Sequence, residues 1–306
     1  MKSVTDHQTI LDLEFDKILD WCSDYALSEQ TKSRILNLVP IGNFDIVNEQ
    51  LNQIEELKNI KEGEKGFPVL EFENLEDELR LLKIKNAVIP LSGILNIHQA
   101  SYLVNQILSF FESSIGSYNC LEHVFSNTYE TLDIISAIEK VIDKSGQIKD
   151  SASPELKTIR DSIRSTQRQL KKNFDKELRR LSKTNLLSDT KETVINNRRV
   201  LSVKSSYKKQ FSGIVLGSSK TGNVAHIEPK INIELNVDLD HFQIEEEKEI
   251  YRILRALTKE LAGHQWLIEA YNKGLHDLDF IYAKFRLADA MNAVKPNLSK
   301  DKVIDV

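Results

Sequence analysis

The chain has 306 residues, of which 41% are hydrophobic and 28% are charged, and its 11 glycines and 6 prolines favour long helices over sheets and turns. This length allows two or three structural units. No apolar run approaches about 18 residues and no signal-peptide pattern opens the chain, so we expect a soluble cytoplasmic protein without a membrane partner. Cys22 and Cys120 have no partner motif, which argues against a disulfide framework and a zinc site.

The charges are distributed unevenly along the chain. Between Pro154 and Val224 there are 17 Lys or Arg and 6 Asp or Glu, a net charge of +11, whereas the remainder of the chain carries a net charge of −16. Such an asymmetry predicts a contact with a polyanion that is confined to the basic part. The alternative is a solvated helical face whose basic residues have no partner.

The first part of the chain, residues 1–150, predicts a helical body. Its apolar periodicity and its helix start and stop signals indicate a series of helices joined by short breaks. The predicted helices are Leu13–Ala26, a helix capped by Ser28 that ends before Pro40, Asp45–Lys61, Leu75–Lys85, Ser92 to about Phe111, and one or two between Glu122 and Ile142.

Two long helices with narrow apolar stripes follow. The first, assigned to 151–190, begins with Ser153 as N-cap and Pro154 at the first helical position, and runs to about Leu187. The second, assigned to 237–296, repeats apolar residues near a period of about 3.5 from Leu239 to Phe285. A narrow stripe covers one partner helix, so we predict an antiparallel two-helix arm of roughly 50 Å.

A β-rich island, assigned to 191–236, separates the two helices and would lie at the tip of the arm. Its β-branched and aromatic residues fall in three short runs, which predict three strands. Alternation along the first strand places Leu201, Val203 and Tyr207 on a packed face. The opposite, basic face holds Arg198, Lys204 and Lys208.

Six cations of the island are candidate nucleic-acid-binding residues. Charge-assisted bonds to phosphates would give affinity without sequence choice. The candidates are Arg198, Lys204 and Lys208 on the strand face, and Arg199, Lys209 and Lys220 in the flanking turns. Tyr207 and Phe211 could stack on exposed bases, but filling the small core of the sheet is the favoured interpretation.

No catalytic, cofactor or metal site emerges from the sequence. Gly217–Gly222 lacks the glycine before Lys220 that a phosphate-binding loop needs, and it is predicted to be a hairpin turn. We predict that His264 packs on the helical stripe and that His276 and Asp279 form a surface pair. The acidic run Glu245–Glu247 is assigned to ion pairs across the arm. We therefore expect that this chain is not an enzyme.

Five segments carry a resemblance that covers essentially the whole chain in order. They are LEFDKIL (13–19), GQIKDSASPEL (146–156), NRRVLSVK (197–204), GSSKTGNVAHIEP (217–229) and ELNVDL (234–239). In these segments the chain resembles the MutS family, and more closely its second bacterial branch, the MutS type-two proteins.

The resemblance implies a helical core or lever, a coiled-coil arm and a β clamp that closes on duplex DNA in a homodimer. It further implies an ATPase domain using ATP and magnesium, often a nuclease-like C-terminal domain, and roles in suppressing recombination on branched DNA or in rescuing collided ribosomes. Mismatch reading is not expected. The only Phe-x-Glu, at Phe110–Glu112, ends an apolar helix and is assigned to core packing.

We therefore expect a mainly α, non-catalytic lever and clamp fragment that grips the backbone of duplex or branched DNA. Residues 297–306, with Lys302–Val306, would begin the ATPase, so the chain is expected to be a fragment or a shortened form. Two alternatives stay open, a ribosome-binding module and a purely structural coiled-coil scaffold. A homodimer is expected of the whole protein, whereas the fragment alone could be a monomer.

Overall fold

A computed structural model describes residues 7–63, 65–114 and 116–299, apart from the side chains of His7 and Ile10. The predicted start of an ATPase at Lys302–Val306 lies outside these residues. The described chain falls into two units, one built from residues up to Lys140 and from Leu254 onward, the other from Val141 to Ile253. No helix in the described ranges combines the length and apolar character needed to cross a membrane.

The described elements are mainly helices, with a small sheet in the second unit. Three-residue and six-residue 3-10 turns occur between some of them. In chain order they are α1 His7–Asp12, α2 Phe15–Ser23, α3 Glu29–Leu36, α4 Phe44–Glu62, α5 Glu76–Leu82, α6 Leu91–Glu112, α7 Asn119–Glu122, α8 Asp133–Val141, α9 Pro154–Leu181, β1 Leu187–Ile195, β2 Arg198–Lys204, β3 Gly213–Ser218, β4 Val224–Pro229, α10 Lys230–Leu261 and α11 Gln265–Ala290.

The first unit packs its helices around α11. This helix contacts α2, α3, α4, α5 and α6, and its Ile268, Tyr271 and Leu275 are fully buried. Phe110 and Phe111 of α6 are also buried, which confirms their assignment to packing. The predicted cap of α3 is confirmed, because the Ser28 hydroxyl accepts a hydrogen bond from the Thr31 amide at 3.1 Å.

The prediction that His276 and Asp279 form a surface pair is wrong. Both are buried in α11, where Asp279 accepts hydrogen bonds from the backbone amides of Leu27 and Ser28 at 3.0 and 3.1 Å. His276 contacts the Ser28 hydroxyl at 3.0 Å and the Asn74 side chain at 3.2 Å. The two side chains therefore tie the turn before α3 to α11, and burial lowers the pKa of His276.

The returning helix was predicted to span 237–296 without a break. The observed helix begins earlier, at Lys230 directly after Pro229, and a 3-10 turn at Ala262–His264 separates α10 from α11. Gly263 lies in this turn, and its low helix propensity favours a break there. His264 is half-buried in the turn, so the prediction that it packs on a continuous stripe is wrong.

The second unit holds four strands where the sequence predicted three. Their order is β1-β2-β4-β3, and every neighbouring pair is antiparallel. Strand β1 is not predicted by the sequence pattern, and the predicted helix runs to about Leu187, whereas α9 ends at Leu181. Only Leu187 of β1 is buried, so this edge strand has no apolar alternation to reveal it. Asn196 and Asn197, with φ of 48° and 63°, form the tight turn into β2.

Four polar contacts join α9 and the segment before it to α10. Ser153 donates to Glu249, Arg252 lies near Glu155, Arg160 donates to Glu246, and the Asn232 side chain donates to the Leu170 carbonyl. From Glu155 to Leu170 along α9, the partner on α10 changes from Arg252 through Glu246 to Asn232, toward the start of α10. The two helices therefore run in opposite directions.

Replacing Gly213 with alanine is expected to destabilise the sheet. A Cβ at this position would lie 2.1 Å from the Glu228 carbonyl oxygen and 2.8 Å from Ile227 Cγ2, so β3 would have to move away from β4. We expect a loss of about 1–3 kcal/mol, seen as faster amide hydrogen exchange in β4. Gly42→Ala is the control, because nothing lies within 4 Å of its added Cβ. Equal exchange in both variants would contradict the strand pairing.

The buried neutral state of His276 predicts acid sensitivity of the first unit. Its pKa is lower in the folded than in the unfolded chain, so the unfolded chain takes up the proton first as the pH falls below about 6.5. Stability is therefore full above that pH and falls below it. Urea unfolding between pH 7.5 and 5.5 should show a smaller loss in His276→Asn than in the wild type, and identical pH dependence would refute the prediction.

Candidate nucleic-acid interface

Strand β2 is a central strand that is buried on both faces. Val200, Leu201, Ser202 and Val203 are all buried in succession, so the sheet has no exposed basic face at this strand. Leu201 and Val203 belong to the packed side, in one core with Leu187, Ala225, Ile227 and the α9 residues Phe174 and Leu181. The predicted packed face is confirmed for these two residues.

The opposite side of β2 is closed by an ion-pair network instead of facing solvent. Arg198 donates to the fully buried Glu228 at 3.0 Å and to Asp240 of α10 at 2.6 Å. Asn236 of α10 donates to the second oxygen of Glu228 at 2.5 Å. Burial opposes the charged guanidinium, yet the bonds to Asp240 and Glu228 raise the pKa of Arg198 above its ordinary value.

Arg199 is engaged on the α9 side of the sheet. Its guanidinium donates to Asp175 at 3.0 Å and to Glu192 at 2.6 Å, and it lies 4.2 Å from the centre of the Phe174 ring. Two carboxylates thus neutralise this arginine within the unit. The prediction that Arg198, Lys204 and Lys208 share one exposed strand face is wrong, since β2 ends at Lys204 and Arg198 is paired inside the unit.

Lys208, Lys209 and Lys220, here called the turn lysines, occupy exposed connections of the sheet. Lys208 and Lys209 lie in the 3-10 turn Ser205–Gln210, and Lys220 lies between β3 and β4. Ser205 joins the two connections, because its amide donates to Asn223 and its hydroxyl to Gly222. None of the turn lysines has an ion pair within the described part of the chain.

Lys204 is neither ion-paired like Arg198 and Arg199 nor fully exposed like the turn lysines. It ends β2, is half-buried, and donates to the Asn185 side chain at 3.0 Å. A neutral partner leaves its charge available to a second, anionic partner. Tyr207 and Phe211 pack against the core of the sheet, which confirms their favoured interpretation as core residues.

Gly217–Gly222 was predicted to be a hairpin turn, which is confirmed for Ser219–Gly222 between β3 and β4, whereas Gly217 and Ser218 pair with β4. Gly222 has a φ of 72°, and the Val224 amide donates to the Ser219 hydroxyl across the turn. A phosphate loop needs a helix after its lysine so that backbone amides point at the phosphates. Strand β4 follows Lys220 instead, so this segment does not fit ATP and its magnesium ion.

The acidic run Glu245–Glu247 was predicted to form ion pairs across the arm, and among the described residues this is confirmed for Glu246 and wrong for Glu245 and Glu247. Arg160 of α9 donates to Glu246 at 2.6 Å and to Asp150 at 2.7 Å. Glu245 lies 3.7 Å from His241 on the same helix. Glu246 therefore links the two antiparallel helices.

The described residues define a mainly helical protein with a small antiparallel sheet set between two antiparallel helices. No family model matches the chain. Among curated proteins, it is similar to the endonuclease MutS2 of Aquifex aeolicus, with 30% identity over 292 residues, which cover 95% of this chain and 38% of that protein.

Two further relatives carry related names. The endonuclease MutS2 of Bacillus velezensis is 31% identical over 299 residues, covering 95% of this chain and 38% of that protein. The putative endonuclease MutS2 of Bacillus subtilis is 31% identical over 287 residues, covering 93% and 36%. The chain thus spans less than two fifths of the length of these relatives. The likeness over nearly the whole chain supports its MutS2-like character.

Arg198→Gln is expected to lower the free energy of unfolding of the second unit by about 3 kcal/mol, because Glu228 would stay buried without its counter-charge. Lys208→Gln, at an exposed site, should change it by less than about 0.5 kcal/mol. Hydrogen exchange in β2 and β4 measures both.

Adding Glu228→Gln to Arg198→Gln removes the unpaired charge and should restore part of the lost stability. If Arg198→Gln alone leaves the exchange of β2 and β4 unchanged, the ion pair does not hold the sheet.

Proposed function

We propose that this chain is a non-catalytic part of a MutS2-like protein that grips the backbone of duplex or branched DNA. The second unit makes the contact, through the turn lysines and Lys204. The observation that carries the proposal is that these lysines are exposed or half-exposed and have no anionic partner in the described chain, while the arginines beside them are neutralised.

The arrangement of the second unit supports an arm with a clamp. Its helices α9 and α10 run antiparallel, and the sheet lies between the end of α9 and the start of α10 in the chain. The lysines sit in short connections of this sheet, where flexible ammonium groups can reach phosphates without reading bases. In this proposal the first unit is the lever domain that bears the arm.

In the whole protein, two such arms would belong to a homodimeric ATPase. Nucleotide binding outside the described residues would then change the spacing of the arms and open or close the clamp around DNA. Suppression of recombination on branched DNA is the role that fits a backbone grip of this kind.

The test compares the wild type with Lys208→Gln/Lys209→Gln/Lys220→Gln for binding to a four-way junction, a plain duplex and ribosomes. Each lost phosphate contact should reduce the slope of log K against log salt by about 0.9, so the triple variant should be shallower by about 2–3 on duplex DNA. The control is Lys58→Gln/Lys85→Gln/Lys259→Gln, which removes three exposed lysines of the first unit.

We expect the wild type to bind DNA in a salt-dependent manner. The turn-lysine variant should bind DNA more weakly, and the control variant should bind like the wild type. Binding to ribosomes without affinity for DNA would contradict DNA as the ligand and indicate a ribosomal partner. Equal binding by all three proteins would contradict the placement of the contact at the turn lysines.

A further inference from the structure

Helix α9 carries a second row of exposed cations, called here the α9 ridge, which consists of Arg168, Lys172, Lys176 and Arg179. At about 100° per residue they fall within an arc of about 80° on the helix. The buried residues Ile163, Phe174 and Leu181 lie roughly 180° from the centre of that arc. The ridge therefore points away from the core that α9 covers.

The carboxylates beside the ridge are already engaged. Asp175 accepts from Arg199, and Glu177 is paired with Arg180. In contrast, no ridge residue has an ion pair among the residues that the structure describes. The ridge thus keeps four positive charges along about 16 Å of helix, at 1.5 Å per residue.

The spacing within the ridge brings like charges together. Arg168, Lys172 and Lys176 are each four residues apart, and Lys176 and Arg179 are three apart, so their side chains are neighbours on the helix surface. Like charges at these spacings destabilise an isolated helix. The row is therefore unfavourable within the protein itself, and an external polyanion would relieve the repulsion.

The partner helix of the same unit has the opposite surface charge. Glu234, Asp238 and Glu247 of α10 are exposed and have no ion pair in the described ranges, and although Lys230 and Lys248 are exposed as well, residues 230–253 hold 7 Asp or Glu against 3 Lys or Arg. A polyanion is attracted to the α9 side of the unit and repelled from the α10 side. The charge pattern thus selects one approach direction.

We propose that the α9 ridge is a second contact site for the phosphate backbone of duplex DNA, separate from the turn lysines. This inference rests on the proposed function for its choice of ligand, and it adds a contact along the helix to the one at the sheet. The row of charges follows a straight line, and it binds phosphates of a duplex by charge alone, without regard to sequence.

The experiment uses the 306-residue chain and a 30-base-pair duplex at several salt concentrations. The ridge variant is Arg168→Gln/Lys172→Gln/Lys176→Gln/Arg179→Gln, in which glutamine keeps helix propensity high. The matched control is Lys58→Gln/Lys85→Gln/Lys140→Gln/Lys259→Gln, which removes the same charge from the first unit. The turn-lysine variant is measured in parallel.

We expect the ridge variant to show a salt slope shallower by about 3–4. The ratio of wild-type to variant affinity should therefore be on the order of 100-fold larger at 50 mM salt than at 200 mM. Its thermal unfolding temperature should equal or exceed that of the wild type, because repulsion along α9 is removed. A shallower salt slope together with an unlowered unfolding temperature shows that the variant has lost contacts with DNA and has kept its fold.

A ridge variant that binds duplex DNA with the wild-type affinity and salt slope would overturn the inference, even if the turn-lysine variant loses binding. Loss of self-association in sedimentation without any loss of DNA binding would also overturn it, since the partner of the ridge would be a second copy of the chain. Absence of DNA binding by the wild type would overturn both proposals. Loss only in the ridge variant would support the inference and refute the contact at the turn lysines.

Discussion

The second unit depends on one buried carboxylate. Glu228 of β4 is fully buried and is held by Arg198 of β2 and by Asn236 of α10. An unpaired charge at this depth would be costly, so the strand, its neighbour and the following helix must keep a single arrangement. Because Asp240 also accepts from Arg198, the network ties the start of α10 to the sheet.

In the sheet and in the contact between α9 and α10, the arginines and the lysines have different partners. The planar guanidinium groups of Arg198, Arg199 and Arg160 each bridge two carboxylates inside the unit. The lysines of the sheet connections remain outside, with flexible stems and no anionic partner among the described residues. Bidentate geometry suits arginine to internal bridges, whereas a mobile point charge suits a contact with a moving backbone. Net charge alone does not distinguish the internally paired arginines from the lysines that are available to a polyanion.

The sequence predicted the elements with strong local signals. The caps at Ser28 and Ser153, the start of α9 at Pro154 and the long apolar α6 all follow from residue type and apolar period, and the structure bears them out. Strand β1 was not predicted because only Leu187 of this edge strand is buried, so its sequence shows no apolar alternation. Its one usable signal was the Asn196–Asn197 turn, whose positive φ values suit a two-residue hairpin.

The candidate site was only partly predictable for a different reason. Arg198 and Arg199 meet carboxylates that are 30 and 24 residues away in the chain, at Glu228 and Asp175. No local pattern reports such pairing, so paired and free cations look the same in a sequence. His276 and Asp279 show the same limit, because their partner Ser28 lies about 250 residues earlier.

Both proposals place DNA at the unpaired cations of the second unit. Acetylation of lysines, quantified by mass spectrometry with and without a saturating duplex, tests this placement residue by residue. We expect protection of Lys172, Lys176 and the turn lysines, with unchanged labelling of Lys58, Lys85 and Lys259 in the first unit. Protection confined to the first unit, or unchanged labelling of Lys172, Lys176 and the turn lysines while DNA is bound, would contradict it.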